Sequence, residues 1–193
     1  MAMCSEIIAQ IDIQLNNLLN SRAMFPHMKE NMIGVTRCAT APFYQNRGFD
    51  IIFSFAEPLT TQRIDEINEI GHWINQNYVV RLCALLESYN VISGGRSINT
   101  RLDGHNEVDI LRRLRNEFAH TSGWYDPTDL EEKRLRERII EHFSLKADNH
   151  SETDGKFPIP IDKVLVPLTE GCKRYVRALP SFESSKWDGS EFG

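Results

Sequence analysis

The chain reads as an all-α helical bundle with one irregular insertion near residues 31–60, and three observations predict it. Apolar residues recur at steps of three and four through most of the sequence, the period of a helix with one buried face. That period fails over residues 31–60, where Pro42, Gly48 and Pro58 interrupt it. The periodic segments are bounded by helix punctuation: Thr60 or Thr61 and Thr128 at starts, Gly94-Gly95 and Gly123 at stops. At 193 residues the chain is long enough to bury one substantial core. A single domain is expected over residues 1–180, with its core at about 60–180. The Ser-, Gly- and Phe-rich stretch 181–193 is expected to be disordered.

Residues 5–20 form the first expected helix, with Ile8, Ile11, Leu15 and Leu18 inward and Ser5 as N-cap. Within the irregular region, residues 49–55 suit a short strand or a buried extended stretch. The longest helical pattern starts at Thr60 or Thr61 and runs through Ile64, Ile67, Ile70, Ile74, Tyr78, Leu82, Leu85 and Tyr89 to about Val91, closed by Ser93-Gly94-Gly95. Roughly thirty residues would span ~45 Å, with Gly71 marking a bend or a close helix contact. Trp73, Tyr78 and Tyr89 lie on or beside its stripe and are read as core, and Cys83 likewise. The next helix, about 106–120, turns Val108, Leu111, Leu114 and Phe118 inward and stops at Thr121-Ser122-Gly123. Asp126-Pro127 turns the chain, and Thr128-Asp129-Leu130-Glu131 is a capping-box pattern opening a helix to about Leu145. Its thin stripe of Leu135, Ile139, Ile140 and Phe143 leaves one face wet. Residues 146–157 read as an exposed loop, and a last helix, about 160–179, carries Val164, Leu168, Cys172 and Val176.

Composition narrows the function classes. A net charge of −5 argues against coating nucleic acid indiscriminately, although a local basic groove acts within a Debye length, ~8 Å at physiological salt. Arg96, Arg101, Arg112, Arg113 and Arg115 form such a basic stretch, interleaved with Asp103, Glu107 and Asp109. Cys4, Cys38, Cys83 and Cys172 are scattered without a C-x-x-C pair, so neither a structural zinc site nor a disulfide framework is expected, and no cofactor. No apolar run approaches the ~20 residues of a membrane span. The first residues lack the basic region of a secretory signal, so the chain is expected in the cytoplasm and the Asn149-His150-Ser151 sequon idle. No phosphate-cradling glycine loop, serine-hydrolase elbow or H-E-x-x-H motif is present.

One run carries candidate chemistry: Arg115-Asn116-Glu117-Phe118-Ala119-His120, closing a helix. Spacing alone decides nothing, since about 1.4 pairs of Arg with His after four to six intervening residues arise by chance in such a composition. Four occur here: Arg22/His27, Arg113/His120, Arg115/His120 and Arg136/His142. Context separates them. Pro26 breaks the first, and Arg136 and His142 sit in an exposed charged helix with no stop behind them. His105 and His72 are lone histidines, read as surface or packing residues. Only His120 sits at a helix exit, and an imidazole changes protonation near neutral pH.

The stretch Leu114-Arg115-Asn116-Glu117-Phe118-Ala119-His120, with the preceding long helix ending in residues 80–87 and the Asp-Pro turn after it, resembles the signature of HEPN domains, over about residues 60–180. That resemblance implies an all-helical, metal-independent ribonuclease, often a toxin or phage-defence effector. It assigns His120 as general base or acid for attack of a ribose 2′-hydroxyl on the adjacent phosphate, Arg115 as phosphate clamp, and Asn116 as orienting group. Expected partners are RNA, a second copy of the chain through the motif helix, and an antitoxin or other restraining protein. On an ideal helix Arg115 and His120 stand about 140° apart, whereas Asn116 and His120 share a face. The site is therefore expected to form where two motif helices meet.

Two other readings compete. Arg115 pairing with Glu87 or Glu117, with Asn116 and His120 capping helix ends, would make the run structural. The run also resembles the mannitol-operon repressor family, which implies a non-catalytic regulator or adaptor. Trp124 and Tyr125, just past His120, are placed to touch a base or a partner subunit, with packing as their ordinary role.

Overall fold

A computed structural model describes residues 2–39, 51–92, 98–120, 123–146 and 155–180. It is mainly helical. The helices are α1 (Ala2–Met24), α2 (Thr61–Ser88), α3 (His105–His120), α4 (Leu130–His142) and α5 (Val166–Ala178). α1 packs on α2, α2 on α3, α3 on α5 and α5 back on α1, closing a four-helix ring with α4 laid against α3. The core inside the ring includes Ile7, Ile11, Leu82, Leu86, Leu111, Leu114, Leu165 and Leu168.

Within the insertion, β2 (Ile52–Ser54) falls in the stretch expected as a short strand, and its antiparallel pairing with β1 (Arg37–Ala39), Arg37 opposite Ser54 and Ala39 opposite Ile52, makes the fold mainly rather than purely helical. Each strand shows the alternation that a sheet with one covered face requires, with Cys38 and Phe53 half-buried between exposed neighbours. Cys38 and Phe55 rest on a second small core of Met28, Leu59 and Ile64, so part of the insertion is ordered by its own apolar contacts. Pro42 and Gly48 lie outside the described residues, as do Ser93-Gly94-Gly95, Arg96, Thr121-Ser122, Asn149-His150-Ser151 and residues 181–193.

Helix ends depart from the sequence pattern more than helix faces do. Ser5 is not an N-cap, since α1 already runs from Ala2 and Cys4 is half-buried against α5, its Sγ 3.8 Å from the Val176 carbonyl. Thr60 does cap α2, its side chain accepting from the Arg63 N–H at 3.2 Å. α2 stops at Ser88, short of Val91. Asn90 takes φ 54°, and the Val91 N–H donates to Leu86 O and the Asn90 N–H to Glu87 O, a Schellman ending. α4 ends the same way on Ser144, at φ 51°. Its N-cap is Asp129, one residue beyond Thr128, accepting from the Glu131 and Glu132 N–H groups. Glu132 reaches back to the Asp126 N–H rather than to the cap, so the box is not closed as the sequence suggests.

The faces are closer to expectation. Val108, Leu111, Leu114 and Phe118 are buried on α3, and Val164, Leu168, Cys172 and Val176 at α5. A π turn, Ile161–Leu165, leads into α5, whose early Pro167 has no N–H to give. On α2 the buried line runs through Ile64, Gly71, Asn75, Tyr78, Val79, Leu82, Cys83 and Leu86, leaving Ile70 and Trp73 exposed. Trp73 is thus not core, Tyr89 is half-buried with its hydroxyl donating to Glu6, and only Tyr78 of the three sits fully inside. Gly71 marks a close contact: a Cβ there would lie 1.6 Å from the Arg22 guanidinium of α1. Gly104 and Gly171 do the same between α3 and α5. A Cβ on Gly104 would meet the Gly171 carbonyl at 2.0 Å, and one on Gly171 would meet Glu107 Cγ at 2.3 Å.

Candidate active site at the exit of helix α3

The motif sits on a helix that is fixed from below. Leu111 and Leu114 are fully buried, and Phe118 meets Phe157 edge-on at 6.2 Å, with Tyr125 on the same ring at 5.7 Å. Tyr125 is therefore packing, and Arg136 lies over its ring at 5.4 Å. Arg136 is buried, not part of an exposed surface as the sequence suggests. With the apolar stripe inward, rotation by 100° per residue turns Asp109, Arg113, Asn116 and His120 outward, within about 60° of one another. Trp124 is also exposed, with Lys156 over its ring at 5.3 Å.

Arg115 leaves α3 between these faces. Its Nη2 stands 3.5 Å from Glu87 Oε2 in the last turn of α2, and its Nη1 donates to Asn116 Oδ1 at 3.1 Å. The long side chain thus crosses the angular gap that separates its own Cα from the outward face. Glu87 also faces Cys83 Sγ at 3.9 Å. Burial, reinforced by the Glu87 charge, pushes the Cys83 thiol up to about 11, so it stays a protonated donor at neutral pH. His120 is the last residue of α3 and exposed, and among the described residues its ring makes no hydrogen bond. Burial raises the Glu117 carboxyl above its ordinary range, helped by Glu132 and Asp129, while His120 acts the other way.

The structure therefore brings Arg115 and Asn116 into contact and places His120 one turn beyond Asn116 on the same face. It also contains the Arg115–Glu87 ion pair of the competing structural reading, although both partners remain about one-third exposed.

The basic stretch is partly spoken for. Arg112 Nη2 lies 3.3 Å from Asp109 Oδ1, and Arg113 Nε lies 3.1 Å from Oδ2. Arg138 of α4 binds the same Oδ2, and its Nη2 donates to Asn106 Oδ1 at 3.1 Å. Asp109 at i−3 and i−4 to two arginines is legible in sequence. Arg138 is not, because only folding brings α4 to that face. Two surface depressions lie away from the motif, a groove of 320 Å³ between α1 and α2 beside Trp73 and Arg81, and one of 710 Å³ beside β2 and the start of α2. Among the described residues no group of three or more His, Cys, Asp and Glu could hold a metal ion, and no helix is long and apolar enough to cross a membrane. Compared with known proteins, the chain matches no family model, no curated protein and no solved structure.

Proposed function

We propose that the chain is a metal-independent endoribonuclease of HEPN type, acting in the cytoplasm as a toxin or phage-defence effector. The observation that carries this reading is the exposed outward face at the end of α3. There Asn116 and His120 stand one turn apart, and the Arg115 guanidinium lies against Asn116 Oδ1. His120 takes the proton of a ribose 2′-hydroxyl as that oxygen attacks the adjacent phosphorus. The bond to the 5′-oxygen of the next nucleotide breaks, that oxygen takes a proton from water, and His120 then gives its own proton back to the solvent. A 2′,3′-cyclic phosphate and a 5′-hydroxyl result, and the nucleophile comes from the substrate itself. Arg115 offsets the charge that grows on the phosphate oxygens. A two-fold pairing of α3 helices would set one protomer's His120 toward the other's Arg115.

The test is RNA integrity in a bacterial host and with purified protein in EDTA, for wild type and His120→Ala. Cleavage by wild type alone, unaffected by EDTA and ending in cyclic phosphate, is the expected result. Loss of cleavage on adding EDTA would sink the mechanism. Intact RNA with folded wild type would favour the regulator or adaptor reading, which the Arg115–Glu87 ion pair supports as a purely structural tie.

A further inference from the structure

The outward face of α3 carries more positive charge than the motif uses. Arg112, Arg113 and Arg138 share the single carboxylate of Asp109, and among the described residues none of the three has a second acid within ion-pair distance. Two positive charges are thus left uncompensated within one cluster. A tie between α3 and α4 needs one arginine, and Arg138 supplies it, bonding both Asp109 and Asn106. Arg112 and Arg113 stand on the same helix as Asp109 and join nothing further. Arg113 is 46 % exposed and gives Asp109 only its Nε, while Asp109 beneath it is 19 % exposed. Burial alone would raise the Asp109 carboxyl. The Arg138 hydrogen bond and the charges of Arg113, Arg138 and Arg112 outweigh it and hold the group below its usual range, so the carboxylate stays ionised. From Arg113 to His120 the helix advances about 10 Å on nearly one line. A cation cluster followed along one helix by a second guanidinium suits a polymer with regularly repeated anions. Guanidinium forks also match phosphate oxygens in pairs.

We propose that Arg112, Arg113 and Arg138 bind a backbone phosphate of an RNA strand lying along α3, next to the phosphate that Arg115 holds. The identity of the strand rests on the ribonuclease reading; the charge excess does not. The test measures binding of the full-length chain to a single-stranded 2′-O-methyl oligouridine, which cannot be cleaved, by fluorescence anisotropy across a salt series. Arg113→Gln should bind more weakly, with the slope of log affinity against log salt shallower by about 0.7. Asp109→Asn should bind more tightly, because it removes the one negative charge from the cluster. That gain should exceed the gain from Asp65→Asn, the same charge change on α2; equal gains would report net charge alone and count against the cluster, and thermal melts confirm that each variant is folded at the measuring temperature. Wild-type affinity and slope in both variants overturn the inference, even if wild type cleaves RNA. Binding that follows the cluster without any cleavage supports the inference and sinks only the ribonuclease reading. Poly-glutamate that binds as tightly as the oligouridine, with the same gain and loss in the variants, overturns RNA in favour of an acidic protein partner.

Discussion

Arg115 is held by two neighbours of different kinds, and substitution separates them. The Glu87 contact is long and its partners are about one-third exposed, so it contributes little to stability, typically below about 1 kcal/mol. Glu87→Gln should shift the urea midpoint only slightly and leave cleavage standing. Arg115→Ala should abolish cleavage at a similarly small cost in stability. If Glu87→Gln and Arg115→Ala lose stability and activity in parallel, the arginine is structural. The sequence made much of this geometry legible. Fixed helix rotation places Arg115 beside the apolar stripe and Asn116 with His120. The reach of the guanidinium to Asn116 Oδ1 was not legible, because it depends on a rotamer chosen by Glu87 across the helix pair. The Asp109 cluster was half legible for a related reason: two of its arginines are helix neighbours and the third arrives from α4.

At the scale of elements, the Thr60 cap and the exit of α3 at His120 match the sequence pattern, whereas the ends of α2 and α4 do not. Burial periodicity sums over many residues, whereas an ending turns on one backbone angle, and Asn90 and Ser144 adopt left-handed conformations that no glycine announces. The stripe on α2 holds except at Ile70, but the buried face is broader than one line, since the helix meets both α1 and α3 and also buries Gly71, Asn75, Val79, Cys83 and Leu86. Close helix contacts give direct tests. Gly171→Ala would push a methyl into the Cβ and Cγ of Glu107, near the root of a buried side chain, and should cost about 1–3 kcal/mol in denaturant unfolding. His72 on α2 provides a pH test. Burial first, and the Arg22 charge second, lower its pKa from 6.5 to about 4. The unfolded chain therefore takes up a proton that the folded chain refuses, and stability falls as pH drops from 6.5 toward 4, by up to roughly 2–3 kcal/mol. His27 shifts in the same direction through burial, Arg22 and Lys29. His72→Gln should flatten that part of the curve; an unchanged slope would mean His72 does not set it.

For the whole molecule, the proposed two-fold site makes a quantitative demand. If one protomer's Arg115 works with the other's His120, Arg115→Ala and His120→Ala proteins are each inactive alone. Mixed one to one with exchange of subunits, they should recover about a quarter of wild-type cleavage, since half the dimers then hold one intact site of two. A mixture as inactive as its parts would place both groups on one chain. The ring itself carries a mechanical consequence. Where α3 begins, the Gly104 backbone lies directly against that of Gly171; where it finishes, about 24 Å away, the holds are side chains, Phe118 among its aromatic neighbours and Arg115 on Glu87. Such a helix is a cantilever clamped at its root. Amide hydrogen exchange should therefore be slowest around Val108 and Ile110 and quicken steadily toward Phe118, so that the imidazole rides on the end with the most freedom to settle against whatever it meets.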